Sequence, residues 1–179
     1  MKEHHLTTRT PIFLVGFMGS GKFRVGEALA GKLGRSLIDL DKRVEARTNW
    51  MVVDLVSSES EEHFRQLEYE ALRKVAHAAG VIVILWGDAM ACEENRELIK
   101  RAGISVWLDA PCDLCWPRMQ DEICNRLFGY KEAEARAHYS QLAPFYQQSA
   151  LHVEVSESQS AGEIADDIIR QLCAGESCL

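Results

Sequence analysis

Apolar and polar positions change their period several times along the chain, and each change marks an element. Pro11-Ile12-Phe13-Leu14-Val15 is an unbroken apolar run, which predicts a strand over 11–15. Over 22–33 the residues Val25, Ala28, Leu29 and Leu33 share one helical face, and Gly34 suits a left-handed helix end. A short strand is expected over 36–40, with Asp41 placed to cap the next helix. An amphipathic helix over 58–79 carries Phe64, Leu67, Leu72, Val75 and Ala79 at helical spacing. Val81-Ile82-Val83-Ile84-Leu85 has no alternation, as expected of a parallel strand buried on both faces.

The second half continues the alternation. It predicts a helix over 93–101, a strand over 104–108, and a helix opened by Pro111 and kinked or shortened at Pro117. Mixed charge and Gly129 suit a mobile loop, which is expected over 121–131. A helix follows over 131–148, which Pro144 is expected to interrupt, then a fifth strand over 151–155 and an amphipathic helix over 162–173. Strands alternating with helices predict an α/β fold with a five-stranded, doubly wound parallel sheet flanked by helices. One domain is expected over 11–173, with flexible segments at 1–10 and 174–179.

The first strand-to-helix turn carries chemistry. Gly16-Phe17-Met18-Gly19-Ser20-Gly21-Lys22 places glycines where a tight turn can direct successive N–H groups into one concavity, at a helix N-terminus that favours anions. Lys22 would reach the outer phosphates of a nucleotide as a point charge. The bland alternative is an ordinary glycine-rich turn. A phosphate-binding loop requires Ser or Thr next, because that hydroxyl ligates Mg2+, and here the residue is Phe23, followed by Arg24.

Composition narrows the partners. A length of 179 residues with 47% hydrophobic and 26% charged content fits a globular domain. A net charge of −7 argues against nonspecific nucleic-acid binding and against an anionic membrane surface, so an acidic substrate must be held by local Lys or Arg. No apolar run reaches the roughly 20 residues of a membrane span, and the polar residues 1–9 do not read as a signal peptide, so a cytoplasmic protein is expected. The six cysteines then read as thiols. Cys112-x-x-Cys115 is either a redox or metal pair or two small residues opening a helix.

With Gly-Phe-Met-Gly-Ser-Gly-Lys at 16–22, Ile-Asp-Leu-Asp at 38–41, Glu-Ala-Arg-Thr at 45–48, Phe-Arg-x-x-Glu at 64–68, Glu-Asn-Arg-Glu-Leu at 94–98 and Val-Trp-Leu-Asp-Ala-Pro at 106–111, the chain resembles the shikimate kinase family over about residues 11–172. The resemblance implies a three-layer P-loop kinase fold and transfer of the γ-phosphoryl group of ATP, with Mg2+, to the 3-hydroxyl of shikimate in aromatic amino-acid biosynthesis. A monomer is expected. It implies catalytic roles for Lys22, Asp39, Asp41 and Arg126, and nucleotide contacts at Gly16, Met18, Gly19, Ser20, Gly21, Lys22, Arg118 and Arg126. Shikimate would meet Asp41, Arg65 and Gly87, and Asp39 would serve Mg2+. The bland alternatives are a helix cap for Asp41, an ion pair with Glu61, Glu62 or Glu68 for Arg65, and plain surface charge for Arg118.

Departures gather at the same places. The family's Gly-Gly-Gly after strand three is Trp86-Gly87-Asp88, its second substrate arginine is Leu142, the Gly after Thr48 is replaced by Asn49-Trp50-Met51, and its lid Arg-Pro-Leu reads Arg126-Leu127-Phe128. These changes predict a scaffold whose chemistry is impaired, lost, or redirected to a more apolar acceptor. Phe23, Trp50, Met51 and Trp86 would line that pocket, unless they only fill the core.

Overall fold

A computed structural model describes residues 9–48, 61–119 and 131–174, without the side chains of Glu61, Glu62 and Phe64. Five strands, β1 (Ile12–Val15), β2 (Ser36–Asp39), β3 (Val81–Ile84), β4 (Ile104–Asp109) and β5 (Leu151–Glu154), form one sheet in the order β2-β3-β1-β4-β5. Every described pairing is parallel. Strand β1 sits centrally, with Ile12 opposite both Ile82 and Ile104, and its four side chains are fully buried. An unbroken apolar run is what a strand covered on both faces requires. At the edges, β2 and β5 are only partly buried, and their sequences are correspondingly mixed.

The helices are α1 (Lys22–Leu33), α2 (Leu40–Thr48), α3 (Glu61–Val75), α4 (Glu93–Ala102), α5 (Cys112–Cys115), α6 (Glu132–Tyr146) and α7 (Ala161–Ala174), with 3-10 turns at Gly87–Ala91 and Trp116–Met119. Helix α1 ends at Gly34 with φ 62°, its N–H bonded to the carbonyl of Ala30. Helices α1 and α7 are tied by Lys32 and Asp166 at 2.7 Å, and α2 and α3 by Arg47 and Glu70 at 2.8 Å. The chain is already fixed at Arg9 and Thr10, whose carbonyls accept from Gly80 N at 2.8 Å and Arg35 Nη1 at 2.9 Å.

Two local expectations are corrected. Pro144 does not interrupt α6, which continues to Tyr146. A proline in the last turn removes one hydrogen bond, and the fully buried Tyr146 holds the end in place. Asp41 does not cap α2. The cap is Asp39, whose Oδ1 accepts from the N–H groups of Asp41 at 3.1 Å and Lys42 at 3.3 Å. The helix begins at Leu40, so Asp41 falls inside the first turn. Arg126, the rest of 120–130, and Asn49, Trp50 and Met51 lie outside the described residues.

Candidate active site

The loop joining β1 to α1 leaves the central strand at its C-terminal end, the usual ligand crevice of an open parallel sheet. Gly16, Gly19 and Gly21 have φ of 144°, 75° and 92°. A Cβ on Gly16 would stand 2.8 Å from the carbonyl oxygen of Leu108, and one on Gly19 would stand 2.6 Å from that of Cys115. No side chain fits either place, so the loop lies directly on β4 and α5. Cys115 therefore buttresses the loop through its backbone. Burial pushes its thiol up to about 12, unsuited to thiolate chemistry, and both Cys112 and Cys115 are free.

Helix α1 starts at Lys22 with no side-chain cap, which leaves its positive end available to an anion. The Lys22 ammonium donates to the carbonyls of Gly16 at 2.7 Å and Phe17 at 2.9 Å. Burial lowers its pKa to about 8, opposed chiefly by Asp41. Asp41 moves the other way, up to about 8, through burial and then Asp39, with Lys22 opposing. At neutral pH the pocket therefore presents a cation beside a protonated carboxyl.

These groups border a cavity of about 1030 Å3 whose lining includes Met18, Gly19, Ser20, Gly21, Lys22, Phe23, Asp39, Asp41, Trp86, Gly87 and Arg118. Arg118 Nη1 donates to Gly19 O at 3.3 Å, so it stands beside the loop despite its exposure. The far wall, Val155, Gln159, Ser160, Ala161 and Ile164, was missed by sequence reasoning. No motif marks it, because only the return of the chain through β5 brings it to the loop. A cavity of this size, floored by backbone amides and a lysine, fits a nucleotide.

Mg2+ fits less well. Phe23 is 42% exposed at the position where a hydroxyl is needed, with Lys42 Nζ 4.6 Å from its ring centroid. Asp39 spends Oδ1 on the α2 cap, and its Oδ2 lies 4.0 Å from Lys42 Nζ. With Asp41 holding its proton to about pH 8, the described side chains do not supply the hard oxygen set that this ion demands.

Beyond Lys22, the 3-10 turn after β3 carries Gly87 and Asp88. Tyr146 Oη donates to Gly87 O at 2.8 Å, clamping the turn to α6. Asp88 Oδ1 is 2.9 Å from His138 Nε2, and its Oδ2 is 3.6 Å from Arg65 Nη2. Arg65 Nη1 donates to Glu68 Oε2 at 3.3 Å, and the buried Glu68 also accepts from Asn95 Nδ2 at 3.1 Å. Burial raises the pKa of Glu68, and the hydrogen bond to Asp88 raises that of His138. Leu142 is 3% exposed, a core side chain on α6. His138 lies one turn before it and was missed, since nothing in its local sequence distinguishes it from a surface histidine.

The family model for shikimate kinase matches residues 18–173. The chain belongs to the shikimate kinase family. The shikimate kinase of Symbiobacterium thermophilum is 36% identical over 166 residues, covering 90% of this chain and 95% of that protein. That of Ruegeria pomeroyi is 29% identical over 170 residues, covering 94% and 87%. Among solved structures, the shikimate kinase from Acinetobacter baumannii in complex with shikimate superposes with a TM-score of 0.82 at 28% identity, covering 95% of this chain and 96% of that one. The enzyme from Bacteroides thetaiotaomicron gives 0.80 at 31% identity, covering 93% and 98%. The P-loop kinase fold of the family is thus the fold of this chain.

Proposed function

We propose that this shikimate kinase family member is a cytoplasmic, monomeric phosphotransferase that binds ATP in the large cavity and transfers its γ-phosphoryl group to a hydroxyl of a small polyol, with shikimate a poor acceptor. The observation that carries the reading is the loop itself: three left-handed glycines, two of them pressed on backbone, and Lys22 aimed along the loop at an uncapped helix start. Loop amides and Lys22 hold the phosphates, Arg118 flanks them, and Arg126 would be a further phosphate contact. Asp41, Arg65 and Gly87 surround the acceptor, and Asp41 in its ionised form accepts the hydroxyl proton as that oxygen bonds to the γ-phosphorus and ADP leaves. ATP supplies the phosphoryl group. Asp39 is the remaining carboxylate for Mg2+.

Phe23, Trp86 and Leu142 replace a metal ligand, a glycine and a substrate arginine that the family resemblance implies. Loss of one positioned charge-stabilising group commonly costs roughly 10² to 10³ in rate. Phe23 in particular favours a second reading, a nucleotide-binding scaffold without turnover, and Trp86 a third, a kinase for a more apolar acceptor. A coupled ADP-release assay with Mg2+, with and without shikimate, separates the first reading from the other two. Shikimate-dependent release at a low rate supports the first reading. Release unaffected by shikimate, together with retained nucleotide binding, supports the scaffold or the redirected acceptor.

A further inference from the structure

The turn after β3 holds a charge arrangement that the loop does not need. Asp88 is engaged on both carboxylate oxygens, one hydrogen-bonded to His138 at 2.9 Å and the other in an ion pair with Arg65 at 3.6 Å. Its backbone is held as firmly. Tyr146 donates to Gly87 O on one side, and Asn95 donates to Ala89 O at 3.0 Å on the other. Gly87 and Trp86, its immediate predecessors, line the cavity, and the Asp88 charge is felt by Lys22.

A guanidinium recognises a carboxylate best when two of its N–H groups point at one partner. In Arg65 those groups are divided, Nη1 to Glu68 and Nη2 to Asp88. A third carboxylate arriving there would compete with Asp88 and Glu68 for one guanidinium. The described cations that line the cavity, Lys22, Arg24 and Arg118, stand on α1 and beside the phosphate loop. Asp39 and Asp41 add no positive charge there, and His138 is bound to Asp88.

We infer that Asp88 is a specificity-determining residue, an internal counter-ion that occupies Arg65 and makes the acceptor half of the site take a hydroxyl-bearing molecule lacking a carboxylate, either uncharged or amine-bearing. This rests on the phosphotransferase reading, because only that reading places an acceptor beside Gly87. Asp88 acts by excluding an anionic group. It takes no part in transfer.

Isothermal calorimetry on the full chain, with and without ADP, tests it with shikimate and its uncharged methyl ester. The unaltered protein should bind the ester at least as tightly as the acid. Asp88→Asn, which keeps the shape and removes the charge, should move the acid-to-ester affinity ratio toward the acid by roughly tenfold. Asp88→Ala should do the same, and the melting temperature of each variant checks that it folds. The inference is overturned if the unaltered protein prefers the acid by tenfold or more. It is equally overturned if the ratio stays put in both variants, or if neither ligand binds any of the three proteins. Absence of ADP binding, read in its own titration, would instead sink the phosphotransferase reading.

Discussion

At Asp41 burial and the Lys22 charge pull in opposite directions, and burial wins. Desolvation and Asp39 lift its pKa from 3.8 to about 8, against the attraction of Lys22. Unfolded, Asp41 ionises near pH 4; folded, only near 8. Between these values the folded protein holds the extra proton, so the contribution of Asp41 to stability falls as pH rises. Asp41→Asn removes the penalty. Calorimetric melts should coincide with the parent below pH 4 and lie higher by roughly 10 °C or more at pH 8. A constant gap across that range would mean that Asp41 is already ionised at neutral pH. Phe23 poses a separate question, because an exposed ring with Lys42 at 4.6 Å is worth only about 0.5–1 kcal/mol. Phe23→Ser should therefore leave stability nearly unchanged while supplying the missing hydroxyl. ADP titrations in Mg2+ and in EDTA should differ roughly fivefold more for the variant than for the parent. A strong Mg2+ dependence in the parent would show that another group supplies the ligand.

Among the elements, the 3-10 turn at Gly87–Ala91 depends most on distant parts of the chain. Tyr146, at the end of α6 and fully buried, gives it a hydrogen bond at 2.8 Å. Tyr146→Phe leaves the Gly87 carbonyl without that donor at a cost of about 1–3 kcal/mol. The melting temperature should fall by roughly 2–4 °C per kcal/mol, and an unchanged melt would mean that water or another donor replaces the hydroxyl. The element pattern itself was legible: β1 and β3 as unbroken apolar runs, the α1 start at Lys22 and its stop at Gly34. Where reading failed, the competing choices were local and close. Asp39 and Asp41 both suit a cap, and the start of α2 at Leu40 selects Asp39. Pro144 breaks a helix in isolation, but here it falls where burial of Tyr146 outweighs one missing hydrogen bond.

At the scale of the whole molecule, the site is assembled from the C-terminal ends of strands and from the turns that follow them. Its loop was legible because seven consecutive residues carry it. His138 stands 50 residues from Asp88, and the cavity wall from Val155 to Ile164 meets the loop only through the closed sheet, so neither His138 nor that wall had a local signal. That convergence fixes how nucleotide binding should respond to pH. Lys22 and Asp41 face the same space, the first losing its proton and the second its own near pH 8. Raising pH through 8 thus removes a cation and adds an anion where phosphates bind, and both changes oppose ADP, which itself stays fully charged. Ligand that binds only the folded state raises stability by RT ln(1 + [L]/Kd), so the ADP-induced rise in melting temperature reports Kd directly. That rise should be largest near pH 7 and should shrink by pH 9. In Asp41→Asn the loss should be partial, because Lys22 still deprotonates. A shift that persists undiminished to pH 9 would mean that bound phosphate keeps Lys22 charged and that Asp41 does not face it.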